Sequence, residues 1–206
     1  MNISKTNDFM IRILDLQKSY NGEPVLSGLN MVLKSGHTYC LMAPSGSGKT
    51  TLFRILMGLE GADSGQILGL EKKQLTAVFQ EDRLLEEYTA LENIMFAAGR
   101  HHSAKQVMTI MQRILPAESL NKPVCEFSGG MKRRVAILRA ILAPSDFIIM
   151  DEPFTGLDTE TKMKVIELIR EYGKDKLLLI ATHAQEDSQL LSAEVLYLTK
   201  TGAAHI

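Results

Sequence analysis

Residues 43–51, APSGSGKTT, combine glycines, hydroxyl side chains and one lysine at a spacing that could bind phosphate groups. They follow the apolar run YCLM and precede the helical pattern LFRILMGL, which is the strand–loop–helix order that a phosphate-binding loop requires. Gly46 and Gly48 would let backbone N–H groups approach phosphate oxygens at the helix N-terminus. Lys49 is expected to reach the β- and γ-phosphates, and the Thr50 hydroxyl to bind Mg²⁺. The predicted nucleotide-binding residues of this loop are Pro44, Ser45, Gly46, Ser47, Gly48, Lys49, Thr50 and Thr51.

Position 43 departs from the phosphate-loop pattern, because it carries Ala where the pattern has Gly. Alanine tolerates most backbone conformations but not a positive φ. The loop is therefore expected to form provided that φ of Ala43 is negative.

Two acids, Asp151 and Glu152, follow directly after the apolar run FIIM at 147–150. In phosphate-loop proteins, an acid at the end of a neighbouring strand holds the Mg²⁺ ion. Successive side chains of an extended strand point to opposite faces, so the two acids should not face the same way. This favours two roles, with Asp151 on the metal through water and Glu152 as the general base that polarises an attacking water.

Apolar patterns around these motifs predict the elements that would hold them in place. Residues 11–17 and 29–34 roughly alternate apolar and polar side chains, which indicates half-buried antiparallel strands. Continuous apolar runs favour buried parallel strands and occur at 39–42, 147–150, 177–182 and 195–198. Helical patterns lie between them, at 104–115 with Ser103 as the cap, at about 130–142 before Pro144, and at 159–172 closed by Gly173. The alternation predicts an α/β fold with a parallel-sheet core and a small antiparallel sheet.

Composition limits the kind of protein that carries these motifs. The chain has 206 residues, of which 45% are hydrophobic and 23% charged, with a net charge of −1. No global basic field favours nucleic acid as a partner, and no apolar run approaches the ~20 residues that span a bilayer. Two cysteines suit a reducing compartment, and the N-terminal residues lack the apolar core of a signal peptide. We expect a single cytoplasmic domain over residues 1–206.

Further motifs make the chain resemble the nucleotide-binding subunits of ABC transporters, and the resemblance covers nearly all of it. The motifs occur in the family's order. Tyr20 matches the adenine-stacking aromatic, residues 43–51 match Walker A, and Gln80 in VFQEDRLL matches the Q-loop. FSGGM at 127–131 matches the LSGGQ signature, Asp151-Glu152 match Walker B, Asp158 in TGLD matches the D-loop, and His183 in IATH matches the switch histidine. The resemblance implies ATP and Mg²⁺ as ligands of a P-loop ABC cassette with a helical signature subdomain at about 84–142. Met131 and Ala184 depart from the pattern, which usually has Gln and Asp there.

The resemblance also implies roles for the matched residues near the reacting phosphate. Gln80 would contact Mg²⁺ or the attacking water and connect the site to the helical subdomain. His183 would contact the γ-phosphate and help to position Glu152 and the water. Asp158 would belong to the nucleotide site as well.

For the signature motif, the resemblance implies action on a second copy of the chain, packed head to tail. Ser128, Gly129 and Gly130 would supply a hydroxyl, free N–H groups and a positive helix end to the phosphate that the other copy holds. The next turn, Lys132-Arg133-Arg134, we interpret first as a solvated positive helix face, with local attraction of the anion as the alternative.

The function implied by the resemblance is an ATPase that powers a membrane transporter from the inner face of the cell membrane. Its expected partners are separate permease subunits, whose cytoplasmic helices dock near Gln80, and a solute-binding protein. Residues 78–94, VFQEDRLLEEYTALENI, look most like nitrate, sulfonate and taurine-type importers, which favours a small organic solute or anion. An exporter subunit and a soluble ABC ATPase stay open as alternatives. A small-molecule kinase would lack SGG, TGLD and the switch histidine.

Overall fold

A computed structural model describes residues 8–44 and 46–199, together with the backbone of 204–205. Within these residues the strands are β1 (Met10–Tyr20), β2 (Glu23–Lys34), β3 (Thr38–Met42), β4 (Ser64–Leu68), β5 (Leu75–Val78), β6 (Phe147–Asp151), β7 (Leu177–Ala181), β8 (Glu194–Leu198) and β9 (Ala204–His205). The α-helices are α1 (Lys49–Leu56), α2 (Ala90–Ala98), α3 (Ala104–Met111), α4 (Gly129–Leu142), α5 (Thr159–Gly173) and α6 (Gln185–Leu191). None of the helices in the described part of the chain is long and apolar enough to cross a membrane.

A six-stranded sheet with the order β5-β6-β7-β3-β8-β9 forms the centre of the fold. Its first five strands are parallel, and β9 pairs with β8 in the antiparallel direction. All five residues of β7 and the first four of β6 are buried, because helices cover both faces of this sheet. The predicted α/β fold with a parallel-sheet core is confirmed. The carboxyl ends of β3 and β6 lie at one edge, where the phosphate loop and the two acids begin.

A three-stranded antiparallel sheet, in the order β2-β1-β4, packs beside the central sheet. Ile11, Ile13 and Leu16 of β1 are buried while the residues between them are exposed, as the alternating pattern predicted. The turn between β1 and β2 is Asn21-Gly22, and both residues have positive φ. This is the two-residue hairpin turn that such a pair favours.

The helical region between β5 and β6 contains α2, α3 and α4, which share one apolar cluster. Ser103 caps α3 as predicted, and its side chain and that of Gln106 form a capping box. The predicted end of this helix at residue 115 is wrong, because α3 ends at Met111. The chain then tightens into i→i+3 bonds, from the N–H groups of Arg113 and Ile114.

Helix α5 ends differently from the expected glycine stop. Gly173 is the last residue of the helix and has no positive φ, so it is not a left-handed terminator. A Cβ at this position would lie 2.8 Å from Leu178 Cδ1 on β7. Glycine is therefore needed here for the close approach of helix and strand.

Candidate nucleotide site

A cavity of about 340 Å³ opens at the N-terminus of α1, beside the carboxyl ends of β3 and β6. This edge of a parallel sheet is where α/β proteins bind their ligands. The residues that line the cavity are Val25, Pro44, Gly46, Ser47, Gly48, Lys49, Thr50, Thr51, Gln80, Asp151, Glu152 and His183. The fold thus brings together the described residues of four separate predicted motifs. Val25, from the antiparallel sheet, is a wall residue that the sequence patterns do not indicate.

The backbone of the phosphate loop adopts conformations that require glycine. Gly46 and Gly48 have φ of 76° and 93°. A Cβ on Gly48 would lie 2.9 Å from Leu26 Cδ2 and 3.0 Å from the carbonyl oxygen of Val25, so no side chain fits. Ala43 is buried and has no positive φ, which confirms the condition placed on this substitution. Ser45 lies outside the described residues.

The Lys49 ammonium lies at the centre of the cavity. Its Nζ donates a hydrogen bond to the carbonyl oxygen of Ala43 at 2.9 Å. The same atom lies 3.2 Å from Nε2 of His183 and 4.0 Å from Oε1 of Glu152. One cation therefore connects the phosphate loop, the acid pair and the histidine loop, three segments far apart in the sequence.

Asp151 ends β6 and points at the first turn of α1. Burial raises the pKa of its carboxyl group, and nearby Lys49 and a hydrogen bond with the Thr50 hydroxyl oppose that rise. Thr50, Gln80 and Asp151 line the same cavity, and oxygen donors of these kinds suit Mg²⁺. No group of three or more acids, histidines or cysteines placed to hold a metal occurs among the described residues.

Glu152 has a φ of 49°, in the left-handed region that costs a non-glycine residue about 1 kcal/mol or more. Because the extended strand stops at Asp151, this turn brings the second acid into the cavity of the first. Within that cavity the two acids meet different partners, Asp151 the Thr50 hydroxyl and Glu152 the His183 imidazole. Glu152 Oε1 lies 3.0 Å from His183 Nε2. Burial raises the pKa of Glu152, opposed by His183 and Lys49.

The loop that carries His183 is held by a buried acid that the sequence motifs do not indicate. Asp187, 2% exposed, accepts a hydrogen bond from the Thr182 hydroxyl and pairs with Lys162 of α5. The Thr182 oxygen in turn accepts the backbone N–H of Ala184 at 3.2 Å. The ion pair between Asp187 and Lys162 thus connects the loop to α5, while the imidazole of His183 lines the cavity.

The signature residues do not line the cavity of their own chain. Ser128 caps α4 by accepting the N–H of Met131 at 3.3 Å. Gly129 and Gly130 have no positive φ, and a Cβ on Gly129 would meet nothing within 4 Å. Ser128 and Gly129 are exposed. This helix start is therefore exposed and lies outside the cavity at the phosphate loop of the same chain.

Tyr20 and Asp158 also lie outside the cavity. Tyr20 stands beside the Asn21-Gly22 turn, is 41% exposed and donates a hydrogen bond from its hydroxyl to Glu60. Asp158 is exposed and caps α5, with Oδ1 accepting the N–H of Thr161 at 2.9 Å. These contacts lower the pKa of Asp158.

The interpretation of the basic run after the signature as a solvated face is wrong. Arg133 is 8% exposed, and its guanidinium donates to two backbone carbonyls of the segment after β5. Lys132 pairs with Glu86 at 2.8 Å, and Arg134 donates to two other backbone carbonyls. Lys132 and Arg133 are engaged because the irregular segment after β5 packs along this side of α4, whereas Arg134 donates to Gly130 and Ile114. The acids of that segment were the available signal in the sequence.

Known proteins are similar to this chain in sequence and in fold. A family model described as ABC transporter matches residues 26–155. An aliphatic sulfonates import ATP-binding protein of Frankia casuarinae is 35% identical, over 92% of this chain and 63% of its own length. A second such protein, of Pseudomonas syringae, is 33% identical over 88% of this chain and 79% of its own. A Nod factor export ATP-binding protein of Rhizobium is 32% identical over 88% and 65%.

Among solved structures, a dimeric structure of the ABC transporter cassette MJ0796 matches with a TM-score of 0.81 and 26% identity. The match covers 95% of this chain and 97% of that one. The family model spans well over half of the chain, and the fold agrees over nearly its full length. The chain therefore belongs to the ABC transporter family and is one of its ATP-binding ATPase cassettes.

Proposed function

We propose that this cassette hydrolyses ATP at sites shared between two copies of itself and that this cycle powers a membrane transporter. The observation that carries the proposal is the contrast between two helix starts. Lys49, Glu152 and His183 converge at the start of α1, whereas Ser128 at the start of α4 is exposed and outside that cavity. Each chain thus offers one nearly complete phosphate site and one isolated helix start.

ATP binding is assigned to the phosphate loop and to an aromatic ring at the edge of the antiparallel sheet. The N–H groups of the loop and of the first turn of α1 bind the phosphates, and Lys49 adds a positive charge. Tyr20 stacks on the adenine, a role supported by its exposed position at the end of β1. The bound nucleotide would replace the contacts that Lys49 makes with its own chain.

Mg²⁺ fits the group of oxygen donors at the head of α1. Thr50 and Gln80 would hold the ion, and Asp151 would hold it through water. When bound, Mg²⁺ neutralises charge on the β- and γ-phosphates. Burial raises the pKa of the Asp151 carboxyl group, and nearby Lys49 and the Thr50 hydroxyl favour its charged form.

Hydrolysis is assigned to Glu152 as the general base. Its raised pKa places the carboxylate nearer the working pH, where a base transfers protons most effectively. His183, 3.0 Å away, fixes the orientation of that carboxylate and reaches the γ-phosphate side of the cavity. Asp158, at the head of α5, would complete the site from its exposed position.

The second half of each site is assigned to the partner chain. Ser128, Gly129 and Gly130 form an uncovered helix N-terminus, which attracts an anion through its N–H groups and its dipole. A head-to-tail dimer would place this start on the γ-phosphate bound by the other chain. The dimeric form of the MJ0796 cassette supports such an assembly.

Coupling to transport requires a surface for membrane partners, and a groove beside Gln80 is a suitable one. It has a volume of about 430 Å³ and lies between α1 and the segment after β5. Phe53, Met57, Leu59 and Phe79 give it apolar walls, and Leu59 is 60% exposed. We assign this groove to a cytoplasmic helix of a permease subunit, so that the cassette works at the inner face of the membrane.

The transported substrate is assigned by likeness to relatives. Two of the relatives are named for sulfonate import, which supports import of a small organic solute or anion with a solute-binding protein. Export is the second candidate, because Nod factor export proteins match at nearly the same identity. Residues 1–206 would act as one cassette domain, with the helical subdomain at about 84–142.

Two measurements test the proposed function. Purified chain should hydrolyse ATP with Mg²⁺, and Lys49→Ala should lose most ATP affinity and turnover because the phosphate contact is gone. Coexpression with a candidate permease should give a membrane-bound complex that Leu59→Glu disrupts, whereas Leu14→Glu, on the exposed face of β1, leaves it intact. Wild-type turnover in Lys49→Ala would contradict the site, and equal recovery of both glutamate variants would contradict the groove.

A further inference from the structure

The segment that carries Gln80 is held from one side by cations of the signature helix. We call residues 79–86, which follow β5, the Q segment. The guanidinium of Arg133 donates to the carbonyl oxygens of Phe79 and Gln80, and its Nε lies 3.2 Å from Oδ1 of Asp82. Arg133 is 8% exposed and Asp82 is largely buried, so these contacts are shielded from water. One side chain of α4 therefore fixes the backbone at Gln80.

A second arginine extends the same arrangement along the helix. Arg139 donates from Nη1 to the carbonyl of Arg83 at 2.7 Å and from Nη2 to the carbonyl of Asp82 at 3.0 Å. Lys132 adds an ion pair with Glu86 at 2.8 Å. Four backbone carbonyls in the first five residues of the Q segment thus find donors on α4 rather than in a sheet or a helix.

These contacts are stronger than ordinary loop contacts. Each is a charge-assisted hydrogen bond, and such bonds contribute roughly twice as much as neutral ones. A buried carbonyl that loses its donor also keeps its full desolvation cost. The Q segment has no regular structure of its own around residues 79–84, so its conformation depends on α4.

Both ends of this arrangement carry residues of the proposed ATP cycle. Gln80 lines the cavity with Lys49, and α4 begins at Ser128, the residue assigned to the partner's phosphate. We propose that Arg133 and Arg139 fasten the Q segment to the signature helix, so that Gln80 and Ser128 are positioned by one rigid body. The inference rests on the proposed function, and it makes the two arginines positioning residues.

Local mobility of the Q segment gives the first test, with tryptic cleavage after Arg83 as the readout. Arg133→Lys keeps the charge but cannot bridge two carbonyls and a carboxylate, because an ammonium is a single point of charge. We expect about tenfold faster cleavage after Arg83, the factor that fits loss of one charge-assisted bond. Cleavage after Arg100, in the exposed turn following α2, should not change.

Lys176→Met is the matched control for this test. Lys176, between α5 and β7, is also a partly buried cation that contacts α4, and its Nζ donates to the carbonyls of Ile141 and Ala143 at 2.8 and 3.0 Å. It contacts the far end of the helix and none of the Q segment. Cleavage after Arg83 in this variant should stay at the wild-type rate. Equal acceleration in both variants, or none in Arg133→Lys, would overturn the fastening.

A double-mutant cycle in kcat tests the link to Gln80. If Arg133 acts through Gln80, Arg133→Lys lowers kcat in the wild-type background but adds no further loss to Gln80→Ala. Multiplicative losses in the double variant would overturn the positioning role. Wild-type kcat in Gln80→Ala would instead refute the role proposed for Gln80, and cleavage after Arg83 would then decide the fastening. If Arg133→Lys fails to fold, Arg139→Lys replaces it in both tests with the same expected outcomes.

Discussion

Helices α1 and α4 both begin at a glycine-containing N-terminus with free backbone N–H groups. The start of α1 lies in a cavity, whereas the start of α4 is exposed to solvent. At α1, Gly48 is the N-cap with φ of 93° and no side-chain cap, so the first N–H groups stay available. At α4, Ser128 occupies the N-cap and its side chain accepts one N–H. The first start faces Lys49 and Glu152 of its own chain, whereas the second faces solvent.

This difference supports the proposal that each phosphate site is divided between two chains, with each chain carrying one half at α1 and the other half at α4. Around α1, an acid, a histidine and a lysine from distant segments converge, so the chemistry is assembled within the chain. The start of α4 offers an exposed helix end with Ser128 and Gly129, and it lies outside the cavity that contains Lys49, Glu152 and His183. In the proposed function, the start of α4 serves a phosphate as the second half of a site that the other chain holds.

Removal of the base at the α1 site should have the largest effect. Glu152→Gln keeps the shape of the side chain but cannot accept a proton, so turnover should fall by about 10²–10⁴ while ATP binding persists. Steady-state hydrolysis and equilibrium nucleotide binding measure the two quantities. Glu160→Gln, an exposed acid paired only with Lys164, is the control and should keep wild-type rates. Wild-type turnover in Glu152→Gln would contradict the base assignment.

Disruption of the α4 start should abolish turnover by a different route. Ser128→Arg places bulk and charge where the partner's phosphate would lie, but it leaves the chain's own phosphate loop untouched. We expect ATP affinity of the monomer to persist while hydrolysis and ATP-dependent dimerisation fail, as measured by binding titration and size exclusion. Loss of monomeric ATP affinity would show that both starts serve the same bound nucleotide.

Alanine at one glycine of each start separates the two sites more finely. Gly48→Ala forces a Cβ against Val25 and Leu26 at a positive φ, which costs about 1–2 kcal/mol in the loop conformation and should weaken ATP binding. Gly129→Ala has open space and a helical backbone, so stability and monomeric ATP binding should not fall.

Hydrolysis by Gly129→Ala should nevertheless drop, because the added methyl group keeps the partner's phosphate from the helix end. Thermal unfolding, nucleotide titration and turnover of both alanine variants check this pair. Wild-type hydrolysis by Gly129→Ala would mean that nothing approaches this helix start during turnover.

Tyr20 should give the smallest effect, since it contacts the base and not the phosphates. Tyr20→Ala should weaken ATP binding by about 1–3 kcal/mol with little change in kcat. Tyr20→Phe keeps the ring and loses only the hydroxyl bonded to Glu60, so its affinity should match wild type. If Tyr20→Ala bound ATP as tightly as Tyr20→Phe, the stacking role would be wrong.

The α1 site was largely predictable from the sequence because the residues of its phosphate loop are adjacent in the chain. The strand, the glycine loop and the helix follow each other directly, and the fold brings Lys49 and Asp151 together through ordinary parallel pairing. The backbone turn at Glu152 was not predictable, since a positive φ at a glutamate runs against residue preferences and requires the surrounding structure to impose it.

The contacts that position the other residues were missed because they join distant segments. Arg133 and the Q segment, like Lys162 and Asp187, form buried charge contacts between different elements. Taken alone, each of these charged residues would be predicted to lie on a solvated surface, because that is where charged side chains usually occur. Only the packing of the elements decides that these charges are internal.

The central claim is that the α4 start of one chain completes the phosphate site of another. A structure of Glu152→Gln with ATP and Mg²⁺ tests it most directly, because the slowed variant should hold the closed dimer. We expect Ser128, Gly129 and Gly130 of the partner to lie against the γ-phosphate that Lys49 binds. Finding Ser128 of the same chain at that phosphate, or a monomer with the phosphate uncovered, would contradict it.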